Sequence, residues 1–94
     1  MTADDVVPES AEEQARLCFS NIEAILAEAR MTRRHVLRIN AYVADRTHMQ
    51  GYMSARDAWI AAIDPPPAST LMIVGGFTRP EFKVEIEALA ASNA

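Results

Sequence analysis

The stretch from Asp64 to Leu89, DPPPASTLMIVGGFTRPEFKVEIEAL, constrains the fold more than any other part of this chain. Its three consecutive prolines end any helix that precedes them, because proline lacks a backbone N–H and clashes with the preceding turn. Two runs rich in apolar residues follow, Thr70–Phe77 and Phe82–Ala90, separated by a polar Thr-Arg-Pro segment. Strand-like runs joined by a short polar segment are typical of a hairpin. The sequence therefore predicts two strands here, joined as a hairpin.

The two runs differ in how their apolar residues alternate. In the second run apolar side chains alternate with Lys83, Glu85 and Glu87, the period of two expected for a strand with one dry face and one wet face. In the first run both parities are apolar, which is typical of a strand buried on both sides. Helices can cover one face of a sheet in so short a chain. We expect a second copy of the chain to cover the other.

Two amphipathic helices are predicted upstream of these strands. Ser10 and Glu13 form a capping-box pattern, and the apolar residues that follow recur at helical spacing for about twenty residues. Thr47 and Gln50 repeat the capping-box pattern ahead of a second helix that ends before Pro65. The stripe of Met, Tyr and Trp on this second helix is typical of a face that packs on a sheet.

The run from Val36 to Ala44, between the two helices, is rich in β-branched residues and predicts a third strand. Its alternation predicts one face with Leu37, Ile39, Ala41 and Val43. The order of elements is then helix, strand, helix, strand, strand. Because helix-linked strands need a crossover, we expect an α+β fold with a mixed sheet and both helices on one face. The opposite face, the predicted contact with a partner copy, carries Arg38, Asn40, Tyr42, Lys83, Glu85 and Glu87.

Composition argues against several classes of function. Thirteen acidic residues outnumber nine basic ones, and the local run of arginines from Arg30 to Arg38 is too small for a duplex-binding footprint. The single cysteine, Cys18, cannot form an internal disulfide and is predicted to be a small core residue. With only His35 and His48 and no second cysteine, the sequence has no metal-ligand spacing.

The chain is predicted to be a single domain, residues 1–94, in which residues 1–9 form a loose lead-in. The N-terminal MTADDVVPES is acidic and has no apolar segment of the kind found in signal peptides. No apolar run approaches the ~20 residues that a membrane-spanning helix needs. We therefore expect a cytoplasmic protein that binds neither membranes nor nucleic acids.

Four segments resemble the RidA/YjgF family of reactive-intermediate deaminases, also described as endoribonuclease L-PSP or translation-inhibitor proteins. They are QARLCFSNIEAILAEA, VLRINAYVAD, PPPASTLMIVGG and VEIEALA, within residues 11–90. The resemblance implies a chorismate-mutase-like α+β fold assembled as a homotrimer, with small-molecule pockets in the clefts between subunits. It also implies hydrolysis of enamines and imines to keto acids and ammonia, without metal or cofactor.

Three residues are the predicted site. By the resemblance, Glu85, the first glutamate of V-E-I-E, positions or activates the attacking water, a role open to a carboxylate beside a cleft. Ser69 and Arg38 are the predicted substrate-binding residues: Ser69 stands where active members carry an arginine, and Arg38 shares the predicted face of Glu85. The structural alternatives are an ion pair of Glu85 with Lys83 or Arg38, and a turn role for Ser69.

Two departures from the family pattern point to altered activity. A serine hydroxyl cannot replace a guanidinium fork that grips a carboxylate, a loss on the order of 2–5 kcal/mol in a desolvated site. Family members also usually begin with an additional β-hairpin, and without it a strand edge would need another cover.

The prediction is a RidA-like enamine or imine deaminase of altered or reduced activity. The alternative is a non-catalytic trimeric protein that binds a small molecule. A ribonuclease is disfavoured by the acidic balance and by the lack of an aromatic-basic platform.

Overall fold

The computed structural model describes residues 7–92, so most of the predicted lead-in lies outside the described residues. Within this range the elements follow the predicted order, helix, strand, helix, strand, strand. They are α1 (Ala11–Glu28), β1 (Val36–Val43), α2 (Met49–Ile60), β2 (Ala68–Ile73) and β3 (Val84–Ala90). In the described part of the chain, no helix combines the length and the apolar character needed to cross a membrane.

The three strands form one mixed sheet in the order β2-β1-β3. β1 pairs in parallel with β2, which follows it through α2, and antiparallel with β3. The predicted mixed sheet is therefore confirmed, but the predicted hairpin is wrong. β2 and β3 run in opposite directions but do not pair, because β1 lies between them and residues 74–83 carry the chain across its end.

Within one chain β2 lacks the cover on both sides that its sequence predicts, part of which the prediction assigns to a second copy of the chain. β2 is an edge strand, and Met72 and Ile73 are 53% and 44% exposed. β1 occupies the central position in the sheet, although one of its two faces carries polar residues. Apolar residues on both faces of β2 therefore indicate surface that this single chain leaves uncovered.

One core lies between the helices and one face of the sheet. Ile39, Ala41 and Val43 share a parity in β1 and are almost fully buried. They belong to the same core as α1 and α2, where the Phe19 ring stacks on Trp59 with centroids 4.7 Å apart. The predicted placement of both helices on one face is thus confirmed.

A bulge at the start of β1 corrects the predicted face of Leu37. Val36 pairs with Ala90 whereas Arg38 pairs with Leu89, so β1 has one extra residue at this point. An extra residue shifts the two-residue alternation by one position. Val36 is consequently 3% exposed and Leu37 56% exposed, the reverse of the simple pattern.

The two helices begin differently. Ser10 caps α1 as predicted, because its hydroxyl accepts a 3.0 Å hydrogen bond from the N–H of Glu13. The capping box predicted for Thr47 is wrong: α2 begins at Met49, and the position before it has no side-chain cap. Instead, the Asp45 carboxylate accepts a 2.9 Å hydrogen bond from the N–H of Thr47 and starts a short 3-10 turn ahead of the helix.

Candidate functional site

The face of the sheet turned away from the helices brings together polar side chains from β1 and β3. Tyr42 pairs with Glu85 and Asn40 with Glu87, and directly opposed residues share a face. The Tyr42 hydroxyl donates a 2.7 Å hydrogen bond to Oε1 of Glu87, diagonally across the two strands. The predicted polar face of these strands is therefore present in the folded chain, and we call it the open face.

A cleft of about 400 Å³ lies on the open face, where β3 begins. Its lining residues are Tyr42, Val74, Gly76, Phe77, Glu85 and Glu87. Val74, Gly76 and Phe77 come from the segment that follows β2. Gly76 has a φ of 143°, a conformation that glycine adopts readily. The volume falls within the range of small-molecule sites. We call this the carboxylate cleft.

The two glutamates change the acidity of Tyr42. The hydrogen bond to Glu87 is the main reason that the pKa of this phenol is raised above its usual 10.0, and desolvation and the charges of Glu87 and Glu85 add to the rise. Tyr42 therefore stays protonated at neutral pH and remains a donor. The cleft thus holds a phenolic proton donor beside two carboxylates, the groups that general acid–base chemistry uses.

The structure separates the three predicted site residues within one chain. Ser69 pairs with the buried Ile39, so its side chain lies on the helix side of the sheet, opposite to that of Glu85. Arg38 is on the same face as Glu85, but it lies four residues along β1 from Tyr42, about 13 Å away. Within residues 7–92, Glu85 has no ion pair with Arg38 or Lys83. Only Glu85 lines the carboxylate cleft.

Ser69 lies instead beside Tyr52 on the helix side. Tyr52 is fully buried, and its hydroxyl has no hydrogen-bond partner among the described residues. Burial is the main influence on this phenol and raises its pKa above 10.0. Ser69 and Arg56 lie close enough to oppose that rise, but neither is placed to form a hydrogen bond.

A second cavity, of about 590 Å³, lies between α1 and the start of β3. It shares Glu85, Gly76 and Phe77 with the carboxylate cleft, so Glu85 stands at the boundary of the two cavities. Cys18, predicted as a core residue, is only half-buried and lines the wall of this cavity. Burial raises the pKa of the thiol above its usual 9.0, which keeps Cys18 protonated and weakly nucleophilic at neutral pH.

Gln14 supports the start of β3, a role that the sequence analysis missed. Its buried amide nitrogen Nε2 donates hydrogen bonds to the backbone oxygens of Pro8 (2.7 Å) and Glu81 (2.9 Å). Its Oε1 accepts a 2.8 Å hydrogen bond from the N–H of Lys83. The sequence feature that could have revealed this role is a polar residue on the apolar stripe of α1, three positions after Ala11.

The described part of the chain holds no group of three or more His, Cys, Asp or Glu side chains arranged to bind a metal ion.

Comparison with known proteins gives consistent matches. The family model described as endoribonuclease L-PSP matches residues 1–92. The RutC family protein YoaB of Escherichia coli K12 is 29% identical over 89 residues, which cover 90% of this chain and 76% of YoaB.

Two solved structures show the same fold. A YjgF family protein from Neisseria meningitidis is 31% identical with a TM-score of 0.85, covering 93% of this chain and 71% of that one. A member of the YjgF/YER057c/UK114 family from Mycobacterium tuberculosis is 26% identical with a TM-score of 0.84, covering 90% of this chain and 70% of that one.

Proposed function

Because this chain belongs to the RidA/YjgF family, also described as endoribonuclease L-PSP, we propose that it hydrolyses a small enamine or imine in the carboxylate cleft. The observation that carries the proposal is the arrangement of Glu85 and Glu87 beside the Tyr42 phenol, in a cleft of small-molecule size. Glu85 is the general base and Tyr42 the proton donor. The reaction needs no cofactor and no metal.

In the proposed reaction a water molecule loses a proton to Glu85 as its oxygen attacks the carbon of the C=N bond. The electron pair of that bond moves to nitrogen, which takes a proton from the Tyr42 hydroxyl. Glu85 then returns its proton to the amine, and the carbinolamine hydroxyl gives its proton to the Tyr42 phenolate as the C–N bond breaks. Ammonia leaves, the carbonyl product remains, and both side chains are back in their starting protonation states. An enamine substrate first tautomerises to the imine, taking a proton at carbon as its nitrogen loses one.

Charge sets the proposed substrate class. The carboxylate cleft holds two glutamates. Ser69 faces the helices, and Arg38 lies about 13 Å from Tyr42 along β1. An anionic imino acid would meet like charge there, and a neutral or cationic imine would not. We therefore place neutral and cationic imines ahead of imino acids as substrates.

Assembly belongs to the same proposal. Met72 pairs with Tyr42 and so lies on the open face, as does Leu89, and the two side chains are 53% and 60% exposed. A homotrimer that buries this apolar surface would place the carboxylate cleft between subunits. Ser69 and Arg38 then bind substrate only if a neighbouring copy brings them to the cleft. A cytoplasmic location is part of this proposal.

The test compares two freshly generated imines, anionic 2-iminopropionate and neutral benzylimine released by an amine oxidase, with ammonia formation as the readout. We expect faster hydrolysis of the neutral imine. Glu85→Gln should lower the rate at least about 100-fold, in line with the usual contribution of a general base. Glu28→Gln, at an exposed position on α1, is the matched control. Equal rates for wild type and Glu85→Gln would contradict the assignment.

The alternative function is a non-catalytic trimeric protein that binds a small molecule. The observation that favours it is the separation of Ser69 and Arg38 from Glu85 within one chain. It predicts no ammonia release above background from wild type, with a gain of activity on 2-iminopropionate in Ser69→Arg if only the carboxylate clamp is missing. Sedimentation equilibrium on the same samples tests the assembly, and a stable monomer at micromolar concentration would contradict it.

A further inference from the structure

The lining of the carboxylate cleft divides into a polar part and an apolar part. The polar part is Tyr42, Glu85 and Glu87, and the proposed reaction takes place there. The apolar part is Val74 and Phe77, whose side chains are half-buried. The proposed reaction has so far given these two apolar side chains no role.

The segment that carries Val74 and Phe77 is fixed at both ends to the end of β1. The N–H of Val74 donates a 2.9 Å hydrogen bond to the carbonyl of Val43. At the other end of the segment, the N–H of Ala44 donates a 3.0 Å hydrogen bond to the carbonyl of Lys83. Because Val43 and Ala44 directly follow Tyr42, these bonds hold the segment beside the strand end that carries Tyr42.

The two glycines before Phe77 leave space in this part of the cleft. A Cβ added at Gly75 or Gly76 would meet no atom of the described residues within 4 Å. Gly76 lines the cleft without contributing a side chain. The chain itself therefore does not fill the space next to Val74 and Phe77, and a ligand group can enter it.

The chemistry of the site limits what that group can be. In the proposed reaction Glu85 activates the water and Tyr42 protonates the nitrogen, so the C=N bond lies at the polar part of the cleft. The substituent on the imine carbon then meets the remaining lining, Val74 and Phe77. A polar substituent would lose its hydration there without gaining a hydrogen-bond partner. An aromatic ring would pack against the Phe77 ring, a contact that aromatic pairs favour beyond the area that they bury.

We infer that Phe77 is a specificity-determining residue, which selects imines that carry an aromatic ring on the imine carbon. This inference rests on the proposed function and narrows its substrate class. The substrate is then an aryl imine, which water converts to an aromatic aldehyde and ammonia.

The first test is binding of two amines, which requires no turnover. Benzylamine and ethylamine are both cations at neutral pH, and the aromatic ring distinguishes them. We expect benzylamine to bind at least about tenfold more tightly than ethylamine in NMR titrations of the full chain, with shifts at the amides of Gly76 and Phe77. Phe77→Ala should weaken benzylamine binding alone and reduce the preference to less than about threefold.

Phe82→Ala is the matched control for Phe77→Ala. Phe82 is also half-buried and belongs to the same segment, but it lines the 590 Å³ cavity and not the carboxylate cleft. We expect Phe82→Ala to leave both affinities unchanged.

The second test is turnover of benzylimine and ethylimine, each released from its amine by an amine oxidase. Phe77→Ala should lower kcat/KM for benzylimine at least about tenfold, mainly through KM, because a contact remote from the C=N bond stabilises ground state and transition state alike. The value for ethylimine should stay within about twofold of wild type. Phe77→Leu keeps an apolar side chain in case alanine prevents folding, and it should give an intermediate preference for benzylimine.

The failure of this inference is distinguishable from the failure of the proposed function. A preference for benzylamine that Phe77→Ala removes, in a wild type that hydrolyses neither imine, contradicts the hydrolase and supports Phe77 as the residue that selects the ring. Equal affinity of the wild type for the two amines overturns the inference, even if both imines are hydrolysed. An equal loss of benzylamine affinity in Phe82→Ala also overturns it, because the ring would then lie in the larger cavity.

Discussion

The buried side chain of Gln14 on α1 accepts a 2.8 Å hydrogen bond from the backbone N–H of Lys83, 69 residues further along the chain. The same side chain donates to the carbonyls of Pro8 and Glu81. One amide therefore satisfies three backbone groups at the point where β3 begins. Because Glu85 lies two residues after Lys83, this contact also sets the entry of the proposed general base into the sheet.

We predict that Gln14→Leu lowers the free energy of unfolding by about 2–4 kcal/mol, because it leaves three partly buried backbone polar groups without the partner that Gln14 provides. Urea unfolding monitored by circular dichroism measures the change. Gln50→Leu, at an exposed position of α2, is the matched control and should change stability by less than about 0.5 kcal/mol. A Gln14→Leu protein as stable as wild type would show that the hydrogen bonds contribute nothing net.

The Tyr42–Glu87 hydrogen bond predicts a pH dependence. Because the pKa of Tyr42 is raised in the folded chain, its contribution to stability is fully present below the unfolded value of 10.0 and is lost as pH rises through the folded pKa. Glu87→Gln removes the charged acceptor and should bring the pKa of Tyr42 back towards 10.0.

Tyrosinate absorbance in a Tyr52→Phe background isolates this titration, since the chain has two tyrosines. Tyr52→Phe removes a hydroxyl that has no partner in the described chain, so we expect the fold to tolerate it. Glu28→Gln serves as the charge control. An unchanged titration in Glu87→Gln would mean that the hydrogen bond is not formed in solution.

The bulge in β1 makes a prediction about two adjacent apolar residues. Val36→Ala removes buried methyl groups and should cost about 1.5–3 kcal/mol, whereas Leu37→Ala acts on an exposed side chain and should cost less than about 0.5 kcal/mol. Chemical denaturation of both variants tests the pair. Simple alternation without the bulge predicts the opposite ranking, so a larger loss in Leu37→Ala would show that the register is wrong.

These cases show which parts of the fold local sequence can predict. Helices and strands were predicted in the right order because the periodicity of apolar residues and the prolines at 65–67 act over a few neighbouring residues. Strand pairing was not, since nothing local to β2 and β3 shows that β1 lies between them. The bulge at Val36 was missed for the same reason, because it is a property of two paired strands.

In the candidate site, too, local sequence predicts some features, and others depend on how the strands pair. The two-residue period of β3 correctly predicted that Glu85 and Glu87 share a polar face. The face of Ser69 depends on the register of β2 against β1, which the sequence does not state, and that register places it with Ile39. The Tyr42–Glu87 hydrogen bond joins residues 45 positions apart and likewise requires the register.

The crossing of α1 and α2 gives the last prediction. At Gly51 of α2, an added Cβ would lie 2.9 Å from the backbone nitrogen of Glu12 on α1, closer than such contacts allow. Alanine is favoured over glycine in a helix interior by about 1 kcal/mol, so propensity alone predicts that Gly51→Ala stabilises the chain. We expect the opposite, a loss of about 1–3 kcal/mol, because the backbone of α1 must move to admit the methyl group. Gly75→Ala is the control, since its Cβ meets no atom within 4 Å. Thermal unfolding of both variants decides between the two effects, and a higher Tm for Gly51→Ala would show that the helices separate without cost.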